Sequence, residues 1–245
     1  GYFWGIIGWC SHLTWIILRK KFITNLALLL TLNLLVKPFW IFGIDRTIQN
    51  TVGAENYGLY FSLFSFSMLL NILLDLGITN YNNRNISQNT QLLSKHFSNL
   101  VVLKCVLAVV YFVITLIVAL IIGYSSIQIK FLIFLAFNQF LLSFILYLRS
   151  NLAGLHLFRT DSMISVLDRI ILILLCAVLL WGNITSQKFQ IEWLIYTQTI
   201  AYFLTAGIAF ILVVRKTVFI RLKFDKHFFI VILRQSFPFA LLTLL

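Results

Sequence analysis

Acidic residues are scarce in this 245-residue chain: seven Asp and Glu stand against nineteen Lys and Arg, and charged residues make up only 11% of the whole. The seven acids, Asp45, Glu55, Asp75, Asp161, Asp168, Glu192 and Asp225, contain no DD or DxD pair that could hold a metal ion. Histidine is equally sparse. His12, His96, His156 and His227 stand apart, and neither HxxxD nor HExxH occurs. Cys10, Cys105 and Cys176 lie far apart in apolar surroundings without a CxxC, the setting of small buried hydrophobes. No Walker A loop is present. A membrane enzyme needs a water-facing constellation of acids, histidines or metal ligands. Its absence favours transport over catalysis, and no cofactor or metal is expected.

What the chain has instead is apolar length. Hydrophobic residues make up 61%, and the mean hydropathy is +0.98. A soluble domain is about half apolar and a quarter charged. The apolar runs are about 20 residues long without strand-like alternation, which selects membrane-spanning helices over a barrel. The fold class is therefore all-α and polytopic. Spans are expected at about 23–44, 57–79, 99–123, 131–152, 163–182 and 192–214, with a seventh opening near 228. Residues 1–21 read as an interfacial or non-native segment, 22–226 as one six-helix unit, and 227–245 as the start of a second. Gly1 at the start and an apolar run still open at Leu245 make the chain read as a fragment.

The net charge of +12 sits at the ends of these runs and reads as topology, with no nucleic-acid partner. Arg19, Lys20, Lys21, Arg84, Lys95, Arg149, Arg159, Arg215, Lys216, Arg221, Lys223 and Lys226 all fall on one face, twelve in number, against Arg46, Lys130 and Lys188 on the other. Lys and Arg concentrate in cytoplasmic loops, so the basic face is expected in the cytoplasm. The longest connection, the Asn-rich stretch 80–98, is expected as a polar loop.

Ionisable side chains inside spans are costly and mark candidate sites. Lys37 precedes Pro38, which bends a helix by removing a hydrogen bond; it reads as a cavity cation or as a lysine reaching the interface. Asp75, in Leu74-Asp75-Leu76-Gly77, reads as the partner of a neighbouring cation, as a proton acceptor, or as a polar cap. Asp168 and Arg169 sit nearly two turns into span five, where Asp168 is expected to pair with Arg149 of span four while Arg169 turns toward a cavity. Arg46 and Arg84 flank spans one and two at opposite faces. The run from Arg215 to Lys226 reads as a topology signal and an anionic-lipid patch. Trp40, Tyr57, Tyr124, Trp181 and Trp193 fit an interfacial aromatic belt.

The order of residues at the span ends is also informative. Span one runs into Val52-Gly53-Ala54-Glu55-Asn56-Tyr57-Gly58-Leu59-Tyr60. Span two ends in Leu74-Asp75-Leu76-Gly77-Ile78, followed by Tyr81, Asn82, Arg84, Asn85 and Ile86, and the last run opens Arg234-Gln235-Ser236-Phe237-Pro238-Phe239. From about residue 22 onward this resembles the polysaccharide flippases of bacterial O-antigen and capsule export, in the multidrug/oligosaccharidyl-lipid/polysaccharide exporter superfamily. The resemblance implies a two-lobe, MATE-like fold, of which this chain would be the first six-helix lobe plus the opening of the second. It implies translocation of an undecaprenyl-pyrophosphate-linked oligosaccharide across the inner membrane by alternating access. The implied partners are that lipid-linked oligosaccharide, membrane lipids and other polysaccharide-assembly proteins. By position, Lys37, Arg46, Arg84, Arg149 and Arg169 are the implied cavity cations for the pyrophosphate. The sequence does not reveal what drives transport; for proton or sodium coupling, Asp75 is the acid nominated, with Asp168 the other acid inside a span. A polymerase or acyltransferase of the same pathway, or a drug exporter of the same superfamily, stand as alternatives.

Overall fold

A computed structural model describes residues 24, 27–182, 189–217 and 226–244. The segment 1–21 with its Arg19-Lys20-Lys21 cluster, together with Lys188, Arg221 and Lys223, lies outside the described residues. Among the described residues there are helices and no strands, and six helices are long and apolar enough to cross a membrane. These are α1 (Ala27–Val52), α2 (Ala54–Leu74), α4 (Gln91–Ile122), α5 (Ser126–Gly154), α6 (Phe158–Trp181) and α7 (Ile191–Val214). A polar helix, α3 (Ile78–Gln88), lies between α2 and α4, and α8 (Lys226–Leu244) follows α7.

Local chemistry sets the boundaries. Pro38 leaves a carbonyl of the preceding turn without its donor, and the chain widens into a π-helical stretch, Phe39–Asp45, before resuming as α-helix. Gly53, at φ 89°, separates α1 from α2 with almost no loop. Gly123, at φ 84°, stops α4. Ser125 then opens α5 with a capping box, accepting from the Gln128 amide while Gln128 accepts from its own.

Two expectations change. Span two was expected to run unbroken over 57–79. Instead α2 tightens into a 3₁₀ turn, Leu70–Leu74, and the chain breaks at Leu76 (φ 45°) and Gly77 (φ 78°). The stretch 80–98 was expected as a polar loop, but α3 and the first turns of α4 occupy most of it. One of its asparagines is buried against a partner helix. Asn82, 4% exposed, donates to Ser150 Oγ and Asn151 Oδ1 on α5, both at 3.0 Å. Ile78, Asn82 and Ile86 are buried at a spacing of four, one face of a helix.

α5 is the hub, packed on α2, α3, α4, α6 and α7. Helices in lipid gain little from apolar burial and associate through close approach and interhelical hydrogen bonds. Both occur here. At Gly154 a Cβ would come within 2.8 Å of Ile86 Cβ, so glycine lets α3 lie against α5. The buried apolar side chains form one cluster toward the basic face, built around Phe97, Tyr147 and Tyr202. A second lies toward the opposite face, around Trp40, Ile44 and Leu194. A smaller one, of Leu74, Ala108, Tyr111 and Ala136, lies between them.

Candidate functional site

Two polar assemblies interrupt this apolar packing. The first lies at the break in span two. Lys104 of α4 is 1% exposed, and its ammonium donates to Leu74 O at 3.1 Å, to Ser143 Oγ of α5 at 3.0 Å, and to the Asp75 carboxylate. Three donors meet three acceptors. Asp75 in turn accepts from the Thr79 backbone amide at 3.3 Å and from the Thr79 hydroxyl. The pair thus straddles the break. The cation closes the carbonyl end of α2 and the anion closes the amide end of α3, each at the helix terminus whose dipole favours it. Of the readings open for Asp75, the structure holds two together, a cation's partner and a polar cap.

The second assembly crosses α1, α2, α6 and α7. Arg169 lies near the middle of α6, beside the Asp168 carboxylate at 3.7 Å and with its guanidinium carbon 6.0 Å from the Trp40 ring centre. The guanidinium donates no hydrogen bond among the described residues. Asp45 and Tyr202 stand within electrostatic reach of it. The Tyr57 hydroxyl reaches both Asp45 carboxylate oxygens at 3.0 Å. The Tyr57 and Tyr60 rings are 5.8 Å apart, and Gln198 of α7 donates to the Tyr60 hydroxyl at 2.6 Å. A thread of polar groups therefore runs through the interior of four spans.

The structure does not gather the five candidate cations into one cluster. Arg149 does not pair with Asp168. Its Nε donates to Asp161 Oδ1 at 2.7 Å and its Nη2 to Oδ2 at 3.4 Å. The reason is level. Arg149 lies five residues before the end of α5 and Asp161 in the first turn of α6, whereas Asp168 is about 10 Å further along the α6 axis. Arg169, expected to turn toward a cavity, lies half-buried beside Trp40 and lines none of the cavities described. Lys37 and Arg46 are exposed and form no ion pair among the described residues. Arg84 is exposed on α3 and lies over the Phe239 ring of α8 at 6.0 Å. Trp40, expected in the interfacial belt, is 8% exposed inside the bundle, and Tyr57, expected there too, bonds Asp45.

Sequence reasoning missed Lys104, Tyr60 and Gln198. Lys104 carried a readable signal, a lone charge inside the apolar run that begins at Leu100. Tyr60 and Gln198, 138 residues apart, carried none.

These features define a multi-pass helical membrane protein with polar side chains paired inside its bundle and, among the described residues, no cluster of metal-ligating side chains. The chain belongs to the polysaccharide biosynthesis protein family, which it matches over residues 22–245. It has a role in polysaccharide biosynthesis and export, in line with the resemblance drawn from its span ends. No curated protein and no solved structure gives a significant match.

Proposed function

We propose that the chain translocates an undecaprenyl-pyrophosphate-linked oligosaccharide, an O-antigen or capsule repeat unit, from the cytoplasmic to the periplasmic leaflet. The observation that carries this reading is the family match along the whole apolar part of the chain, on a bundle of six spanning helices. In this reading α1, α2 and α4 to α7 form the first lobe of an alternating-access transporter, and α8 opens the second. A pyrophosphate and its sugars cannot enter hydrocarbon unaided. A polar, basic path gives them passage while the polyprenyl tail stays among lipid tails. Arg169 is the cation best placed to meet the pyrophosphate. It is half-buried at mid-span, and its donors are not committed to protein groups. A guanidinium fork suits phosphate oxygens.

Complementation tests the reading. The full-length protein, expressed in a strain lacking its own repeat-unit flippase, restores surface polysaccharide. Absence of rescue by a protein present in the membrane at normal level, together with glycan-transfer activity in those membranes, refutes it and favours a polysaccharide-assembly enzyme. Drug efflux without rescue favours an exporter of small molecules.

A further inference from the structure

A cavity of about 370 Å³ opens beside the break in span two. Asn71, Asp75, Thr79 and Asn80 line it on one side, and Ser143 and Leu146 of α5 on the other. Its polar groups divide sharply. Thr79 and Ser143 are engaged by Asp75, Lys104 and Leu74 O, and the Lys104 ammonium has no donor left. The side chains of Asn71 and Asn80 make no hydrogen bond among the described residues. Asn71 lies inside the apolar run of α2, between Leu70 and Ile72. An amide there facing lipid tails would lose its hydrogen bonds to water and gain none. Two amides with four donors and two acceptors thus face one small space.

The chemistry of that space selects its occupant. The Asp75 carboxylate in the wall and the engaged Lys104 oppose a phosphate. The unengaged amides oppose an acyl or polyprenyl chain. Neutral groups that both donate and accept fit best, and Asp75 retains a lone pair for another hydroxyl. We infer that this cavity is a subsite for sugar hydroxyls of the lipid-linked substrate, read by Asn71 and Asn80 and separate from the Arg169 region where the pyrophosphate would bind. The inference rests on the flippase reading.

The test uses the full-length protein in lipid nanodiscs and two probes: undecaprenyl pyrophosphate, and the lipid-linked repeat unit extracted from the strain the protein rescues. Asn71→Ala and Asn80→Ala each weaken binding of the glycosylated lipid by about two- to tenfold, the value of one neutral hydrogen bond. Affinity for the sugar-free lipid is unchanged. Leu146→Trp, which fills the cavity, weakens binding of the glycosylated lipid selectively as well. The melting temperatures of all three stay at the wild-type value, since none of these side chains holds another. Equal weakening of both lipids, or no weakening of either, overturns the subsite and leaves the cavity to water. If no strain is rescued and the sugar-free lipid does not bind, it is the flippase reading that fails.

Discussion

Removing one member of the Lys104–Asp75 pair has unequal consequences depending on which is removed. In Asp75→Asn the neutral amide still meets Thr79, but Lys104, 1% exposed, is left charged with only the Leu74 carbonyl and Ser143 hydroxyl. Stranding a buried charge costs about 3–5 kcal/mol. In Lys104→Met the shape is kept and the stranded group is Asp75, whose side chain is 30% exposed and retains two bonds from Thr79. Water reaches it, so the cost falls to about 2–3 kcal/mol. The double variant strands no charge, and its cost falls to about 1–2 kcal/mol, below either single change. Unfolding free energies from reversible denaturant titration in mixed micelles measure all three. Additive losses in the double variant would show that the two groups do not compensate each other across the break, and a Lys104→Met loss as large as that of Asp75→Asn would show that water does not relieve the stranded Asp75.

Gly77→Ala places a methyl group at φ 78° against the Ser236 carbonyl and Ala240 amide of α8. The left-handed backbone alone costs about 1–2 kcal/mol, and α8 must move away. A cross-link by a flexible bis-maleimide between Tyr81→Cys and Gln235→Cys, whose native side chains meet at their hydrogen-bonded tips, forms readily in the parent and poorly in the Gly77→Ala background; equal yields refute the contact. Arg149→Ala and Asp161→Ala each lower thermal stability by a similar amount and together no more than one alone, because both break the same pair; additive shifts in melting temperature count against it. Arg169→Ala lowers export at least tenfold with normal protein level and melting temperature, while Arg169→Lys recovers part of it; unchanged export removes Arg169 from the pyrophosphate site. A cysteine at Ser125 reacts with an impermeant maleimide on intact cells and one at His156 only after lysis, as a cytoplasmic basic face requires; the reverse pattern inverts the topology.

Span number was legible because hydrophobic length is a one-dimensional property. Residues 100–122 read as a crossing whatever they pack against. The interior of span two was not, because Leu76 carries no mark of a positive φ, and an apolar run reads the same through a break as through a straight helix. The helical character of 78–88 was half legible. The Ile78, Asn82, Ile86 spacing announces one buried face, but five asparagines in the stretch 80–98 weigh toward turns until α5 takes up the amide of Asn82. The polar thread was the least legible part. Asp45 meets Tyr57 across the short α1–α2 corner, a local contact, but Arg169 meets Trp40 and Gln198 meets Tyr60 only because four helices pack around them.

Charge inside an apolar run marks a functional candidate only until its hydrogen-bonding capacity is traced. Lys104 is the most deeply buried cation described, yet two of its donors end on Leu74 O and Asp75 at the break and the third on Ser143 of α5, so its work is to hold a broken span in one shape against α5. Arg149 directs two nitrogens at one carboxylate and ties α5 to α6. Arg169 differs from both. Its acidic neighbour stands at 3.7 Å, beyond hydrogen-bond distance, and its five N–H groups meet no protein acceptor among the described residues. Donors left open at mid-span must be met by water or by a ligand rich in oxygen. That requirement, more than its position in the sequence, separates Arg169 from Lys104 and Arg149 and is what supports its proposed role at the pyrophosphate.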